Sequence, residues 1–123
     1  MTELPPGFIA VVDDDPRVLE SLGTLLESAD YTSHLFASAS ALLESGCMTQ
    51  INCLISDIDM PAMDGLELLR VVKAQRADLP IILITGRLDL LNRLPVVGLD
   101  YYRLFKKPLD AQELLKAVSD ALR

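Results

Sequence analysis

Five side chains that can bind a cation or a phosphoryl group each stand where an apolar run ends. They are Asp13, Asp14, Asp57, Thr85 and Lys107. In open parallel sheets the carboxyl ends of the strands meet at one edge, and ligands bind there. If these runs are strands of one such sheet, we expect three carboxylates, a hydroxyl and an ammonium group in one pocket.

Three clustered carboxylates repel one another, and a divalent cation is the usual way to offset that repulsion. Ligands that are all oxygen atoms, with no thiolate or imidazole in reach, indicate Mg²⁺, or Mn²⁺, rather than Zn²⁺. Lys107 and Thr85 would add a positive charge and a hydrogen-bond donor, both suited to phosphoryl oxygens. Because a carboxylate can itself attack phosphorus, we interpret Asp57 as the acceptor in an aspartyl-phosphate.

These residues also have simpler interpretations. Asp57 could only cap the loop after its strand, which is a common role for Asp. Asp13 and Asp14 could only favour the dipole of the following helix. The combination of acids, Thr85 and Lys107 at predicted strand ends argues for the phosphoacceptor hypothesis instead.

The elements that would position these side chains alternate along the chain. Apolar runs predict strands at Phe8–Val12, Tyr31–Phe36, Cys53–Ser56, Pro80–Ile84 and Tyr101–Phe105. Residues that can cap a helix precede four amphipathic segments: Asp15, Ser38, Asp64 and Asp110. This alternation predicts an α/β fold with a doubly wound, five-stranded parallel sheet. Residues 88–100 are ambiguous, because Pro95 and Gly98 suit no long helix, so a fourth helix here would be irregular.

The composition is that of one globular domain, residues 1–123, with a net charge of −7 and a pI near 4.5. This charge argues against nonspecific attraction to nucleic acid or to anionic membranes. No apolar run reaches the length of a membrane span. Two cysteines and one histidine are too few for a disulfide framework or a thiolate zinc site. A cytoplasmic location is the simplest expectation.

Four segments together resemble the receiver domain of two-component response regulators, a flavodoxin-like family with the CheY-like fold. The segments are VVDDDP, LISDIDMPAMDG, IILITG and KKP, and each lies at the end of a predicted strand. The resemblance implies the strand order 2-1-3-4-5. It also implies that Asp57 is the phosphoacceptor.

The resemblance assigns roles to the other residues of the set. Asp13 and Asp14 would bind Mg²⁺ together with Asp57. The main-chain carbonyl of Asp59 would be a further ligand. Thr85 would bind a phosphoryl oxygen, and Lys107 would pair with Asp57 and then with its phosphate. We expect no enzymatic turnover beyond transfer to Asp57 and possible hydrolysis.

The resemblance also implies partners. Members of the family take the phosphoryl group from a sensor histidine kinase or a phosphotransfer protein. The spacings resemble receivers that regulate transcription through a C-terminal helix-turn-helix domain, so the output would lie in a domain outside this chain. We expect no direct contact of this domain with nucleic acid or membrane. A homodimer through the face of the fourth helix and fifth strand is a further expectation.

The chain departs from the family pattern in its fourth helix, which Pro95 interrupts, and in its fifth strand. Leu104 stands three residues before Lys107, where family members carry an aromatic residue. In this chain, Tyr102 or Phe105 would have to serve in its place. This departure favours an alternative function, a receiver fold used for docking or dimerisation with atypical or phosphorylation-independent output. A flavin-binding flavodoxin shares the topology, but acids after the first strand would repel its phosphate. A separate hypothesis pairs Asp59 with Arg87 over the phosphoryl group.

Overall fold

Five parallel strands form one sheet in the order β2-β1-β3-β4-β5, as the sequence resemblance implied. The computed structural model describes residues 7–86 and 101–123. The strands are β1 Phe8–Val12, β2 Thr32–Phe36, β3 Cys53–Asp57, β4 Ile81–Thr85 and β5 Arg103–Lys106. The predicted fourth helix and Arg87 lie outside the described residues, and so does the suggested Asp59–Arg87 pair.

Small shifts separate the predicted and observed strand ends. β3 includes Asp57, because this residue continues the parallel pairing with Ile84 of β4. β5 begins at Arg103, two residues later than predicted, and ends at Lys106. Its pairing with β4 runs from Ile82↔Arg103 to Thr85↔Lys106, so Tyr101 and Tyr102 precede the strand.

Four described helices pack on the two faces of the sheet. They are α1 Pro16–Ser28, α2 Ala39–Glu44, α3 Gly65–Gln75 and α4 Ala111–Ala121. Each begins after the predicted capping residue, whose side chain accepts a hydrogen bond from a backbone N–H in the first turn. Such a cap satisfies a donor that the helix itself cannot pair, which is why these helices begin where they do.

The sheet separates two apolar cores. The α2–α3 core contains Val12, Leu54 and Leu83 with the buried faces of α2 and α3. The α1–α4 core contains Val11, Ile55, Ile84 and Phe105 with the buried faces of α1 and α4. Neighbouring strand residues enter opposite cores because side chains alternate along a β-strand. Within residues 7–86 and 101–123, no helix combines the length and apolar character needed to cross a membrane.

Candidate functional site

The carboxyl ends of β1, β3 and β5 bring three predicted site residues to one edge of the sheet. Asp13 follows β1 directly, Asp57 is the last residue of β3, and Lys107 follows β5. Each stands two positions after a strand residue of the α1–α4 core, namely Val11, Ile55 and Phe105. The period of two along a strand therefore aims all three side chains at the same face.

Three carboxylates meet at this edge. One oxygen atom from each of Asp13, Asp14 and Asp57 lies within 4.8 Å of the others. Asp13 and Asp57 are buried, with exposed fractions of 0% and 2%, whereas Asp14 is exposed. Two buried acids beside an exposed one place negative charge where water cannot fully solvate it, so a cation is favoured at this edge.

Asp13 has spare capacity to bind such a cation. Its Oδ1 accepts a hydrogen bond from the backbone N–H of Asp15 at 2.9 Å. Its Oδ2 is buried and, among the described residues, accepts no hydrogen bond. Lys107 Nζ lies 3.0 Å from this Oδ2, but its direction of approach does not suit a hydrogen bond. An oxygen-only donor set, with a buried carboxylate oxygen that is ion-paired but accepts no hydrogen bond among the described residues, fits Mg²⁺ or Mn²⁺.

Among the residues that the structure describes, Lys107 places a positive charge beside the two buried acids. Its Nζ lies 3.0 Å from Asp13 Oδ2 and 3.4 Å from Asp57 Oδ2. Its backbone N–H donates to Thr85 O at 2.8 Å, which ties the residue to the end of β4. Partial burial lowers the pKa of Lys107, but the two paired carboxylates outweigh this effect and its pKa is raised. The ammonium group therefore stays charged at neutral pH.

Asp57 lies in an environment that disfavours its negative charge. Burial and, next, the negative charge of Asp13 raise the pKa of Asp57 to about 6, while Lys107 acts in the opposite direction. A further positive charge nearby would stabilise the ionised form of this carboxylate. The backbone N–H of Asp59 supplies part of this stabilisation by donating to Asp57 Oδ1 at 3.3 Å.

Thr85 and Asp59 also lie at this edge. Thr85 is fully buried and ends β4, one residue after the register partner of Asp57. Ile81 and Leu83, which stand four and two residues before Thr85 on β4, belong to the α2–α3 core. The Thr85 side chain therefore points to the opposite face of the sheet from Asp57. Asp59 has an exposed side chain, and its main chain lies two residues beyond Asp57. The structure thus gathers all five residues of the predicted set, with Asp59, at one sheet edge.

Comparison with known proteins agrees with this geometry. The family model of the response regulator receiver domain matches residues 9–119. The chain belongs to this family. Among curated relatives, this receiver domain is 35% identical over 117 residues to the transcriptional regulatory protein FixJ of Bradyrhizobium diazoefficiens, covering 95% of this chain and 57% of FixJ. It is 36% identical to the response regulator protein TodT of Pseudomonas putida, covering 95% of this chain and 52% of TodT.

Solved structures show the same fold. A crystal structure of full-length FixJ from B. japonicum superposes on this receiver domain with a TM-score of 0.82 at 34% identity, covering 95% of this chain and 58% of that one. A receiver domain protein from Clostridium thermocellum superposes with a TM-score of 0.84 at 27% identity, covering 94% of each chain. The chain spans little more than half the length of the FixJ and TodT relatives.

Leu104, three residues before Lys107, departs from the family pattern. Leu104 is partly buried and packs against the α2–α3 core. Phe105 belongs to the α1–α4 core on the opposite face, with the Arg103 guanidinium 4.9 Å from its ring centre. Phe105 therefore cannot occupy the place of Leu104 in this receiver domain. Tyr102 is 42% exposed and precedes β5.

Sequence reasoning did not include Ser56 in the site. Ser56 is fully buried at the end of an apolar strand, and its hydroxyl donates to Asp57 O at 3.1 Å. The signal available in the sequence was a hydroxyl residue within the otherwise apolar run Cys53–Ser56. Nor could the sequence reveal how closely Gly65, the first residue of α3, approaches the backbone of Asp57.

Proposed function

We propose that this receiver domain accepts a phosphoryl group on Asp57 from a phosphohistidine of a sensor histidine kinase or phosphotransfer protein. The observation that carries the proposal is the arrangement of charges at the sheet edge. Three carboxylate oxygens lie within 4.8 Å of one another, and Lys107 Nζ lies 3.0 Å and 3.4 Å from the two buried acids. This arrangement suits the binding of a cation and a phosphoryl group together. The proposed setting is a two-component system in the cytoplasm.

The proposed transfer is an in-line displacement at phosphorus. A carboxylate oxygen of Asp57 bonds to phosphorus while the bond from phosphorus to the donor imidazole breaks. The imidazole keeps the electron pair of that bond and takes up a proton. The Lys107 ammonium group, already at Asp57, would pair with the transferred phosphoryl oxygens, and the Thr85 hydroxyl would donate to one of them.

Mg²⁺ would be held by Asp13, Asp14 and Asp57 together with the main-chain carbonyl of Asp59. When bound, it would offset the negative charge of the acids and of the phosphoryl oxygens. The chain itself does no turnover chemistry in this proposal beyond accepting the group and allowing its hydrolysis. The added charge at the sheet edge would then change an output surface.

The names of the relatives support an output in transcription. FixJ is named a transcriptional regulatory protein, and this chain covers 57% of its length. We propose that this receiver domain likewise regulates transcription through a domain outside residues 1–123, without touching nucleic acid itself. A homodimer through the face that contains β5 belongs to the same proposal.

The test uses phosphoramidate, a small donor with the same phosphorus–nitrogen bond as phosphohistidine. Incubated with Mg²⁺, the wild-type chain should gain the mass of one phosphoryl group, and Asp57→Asn should gain none. Asp30→Asn is the matched control, because Asp30 is exposed two residues beyond the C-terminal end of α1 and its φ of 67° suits Asn. Equal labelling of wild type and Asp57→Asn would remove Asp57 from the phosphoacceptor role.

A second candidate function is phosphorylation-independent docking or dimerisation. Leu104 favours it, because Leu104 lacks the aromatic ring of the family pattern and Phe105 packs in the opposite core. Beryllofluoride, a phosphoryl mimic, separates the two functions. A phosphoacceptor should bind it only together with Mg²⁺, whereas a docking domain should show no such coupled binding by calorimetry.

A further inference from the structure

The first residue of α3 packs directly against the backbone of Asp57. A Cβ atom added to Gly65 would lie 2.3 Å from Asp57 O and 2.8 Å from Ile58 Cα. Both are backbone atoms, so no side-chain rotation could relieve the clash. Gly65 is not among the glycines with a positive φ, which in the described residues are Gly7 and Gly46. Its requirement for glycine is therefore one of space, not of backbone conformation.

Hydrogen bonds hold the same short segment from several sides. The backbone N–H of Gly65 donates to Ile58 O at 3.0 Å. The backbone N–H of Ile58 donates to Ile84 O of β4 at 2.8 Å. From within the α2–α3 side, the buried Ser56 hydroxyl donates to Asp57 O at 3.1 Å. The main chain around Asp57 is thus held on both sides. Within residues 56–58, the side chain that belongs to the acid cluster is that of Asp57.

We propose that Gly65 and Ser56 are positioning residues for Asp57. Together with Ile58 they surround the Asp57 main chain, and we call Ser56, Ile58 and Gly65 the seat. The seat sets the positions of the Asp57 carboxylate and the Asp59 carbonyl relative to Asp13 and Lys107. The proposal rests on the proposed function, since it assigns the seat a role in phosphoryl transfer to Asp57. It differs from a purely structural role because it predicts a slower reaction in protein that is fully folded.

The size of the expected effect follows from the geometry. Non-bonded heavy atoms pack at about 3.5 Å, so a methyl group on Gly65 would push the two backbones apart by about 1 Å. A misplacement of about 1 Å at a reacting group costs on the order of 100-fold in rate. We expect Gly65→Ala to lower the maximal rate of phosphorylation by about 10- to 100-fold.

Gly23→Ala is the matched control for Gly65→Ala. Gly23 is buried in α1, where the three heavy atoms nearest to an added Cβ are side-chain atoms of Leu35, the first at 3.1 Å. Both variants are assayed with saturating phosphoramidate and Mg²⁺, at a temperature where circular dichroism shows each to be fully folded. Gly23→Ala should react within about twofold of wild type. A folded Gly65→Ala variant that reacts at the wild-type maximal rate would overturn the role of Gly65.

Ser56 supplies a second, milder pair of variants. Ser56→Ala removes the donor to Asp57 O and should slow the reaction by about 2- to 10-fold. Ser56→Thr keeps a hydroxyl and should recover most of the lost rate. If Gly65→Ala does not fold, this pair decides the proposal alone. Equal rates for Ser56→Ala and wild type would overturn the role of Ser56.

Mg²⁺ affinity gives a readout that does not depend on phosphoryl transfer. Titration calorimetry without any donor should show weaker Mg²⁺ binding by Gly65→Ala than by Gly23→Ala, because the seat also sets the Asp59 carbonyl. Wild type that takes up no phosphoryl group would contradict the proposed function. The affinity comparison would still test the seat, and equal affinities would overturn it.

Discussion

The Lys107 ammonium group lies 3.0 Å from Asp13 Oδ2, closer than its 3.4 Å to Asp57 Oδ2. In the absence of a metal, Lys107 therefore offsets the charge of Asp13 as much as that of Asp57. A cation bound at the acids would compete for Asp13 and leave Lys107 for Asp57 and its phosphoryl group. In the proposed function, Lys107 would therefore stabilise the acids before phosphorylation and bind the phosphoryl group afterwards.

Removing Lys107 should destabilise the metal-free protein. Lys107→Gln leaves the buried carboxylates of Asp13 and Asp57 without their cation. We expect a loss of roughly 1 to 3 kcal/mol in the free energy of unfolding, less than for a fully buried pair because Lys107 is 25% exposed. Urea denaturation with a chelator measures it, and saturating Mg²⁺ should shrink the loss.

Lys106 provides the control for that measurement. Lys106 is the last residue of β5, directly before Lys107, and its side chain is exposed. Lys106→Gln should change the free energy of unfolding by no more than about 0.5 kcal/mol. Equal effects of the two substitutions would mean that the pairing of Lys107 with the buried acids contributes nothing to stability.

The raised pKa of Asp57 predicts a pH dependence of stability in the metal-free protein. The folded-state pKa is about 6, against about 3.9 for an unperturbed Asp in the unfolded chain. The folded state thus binds the proton more tightly, so this group's contribution is full below about pH 4 and is lost as the pH rises through about 6. The difference in unfolding free energy between wild type and Asp57→Asn, measured from pH 4 to 8, isolates it.

At pH 7 this linkage makes Asp57→Asn more stable than wild type when Mg²⁺ is chelated. The expected gain is about 1 to 3 kcal/mol, since two pKa units correspond to about 2.7 kcal/mol. The gain should diminish towards pH 4, where the wild-type carboxyl is protonated. A variant that is less stable than wild type at pH 7 would contradict the predicted cost of the Asp57 charge.

Mg²⁺ should stabilise the protein through the acid cluster. A ligand at about 100 times its dissociation constant adds about 2.7 kcal/mol to the free energy of unfolding. Asp14→Asn should remove much of this gain while changing the metal-free protein little, because Asp14 is exposed. Asp15→Asn is the control, since Asn caps a helix as well as Asp and should keep α1 and the Mg²⁺ effect. Thermal unfolding with Mg²⁺ or chelator measures both, and equal Mg²⁺ gains would exclude Asp14 as a ligand.

The Cys53 thiol should be unreactive in the folded protein. Burial raises the pKa of Cys53 to about 12, and only the thiolate reacts readily. In a Cys47→Ala background, modification of Cys53 by a thiol-specific reagent at pH 8 should follow the rate of unfolding and accelerate in urea. Rapid modification under native conditions would show that β3 opens locally.

Much of the fold could be predicted because its signals are local. Asp15, Ser38, Asp64 and Asp110 cap the helices as expected, since capping depends on residues within one turn. The start of β5 was harder to predict. Tyr101 and Tyr102 fit a strand by composition, but the paired register with β4 begins at Ile82↔Arg103, although the Tyr102 N–H already donates to Ile81 O at 2.7 Å. Strand pairing is a long-range property, and composition does not specify it.

The side chains at the strand ends could be assigned from the chain alone, because apolar runs and their polar ends follow from residue type. How these side chains meet depends on the packed fold. It aims Asp13, Asp57 and Lys107 at one face and places Thr85 on the other, because each strand's register sets which side chains point to each face. It also brings Gly65 against the backbone of Asp57, a contact between a helix start and a strand end that depends on packing across the sheet.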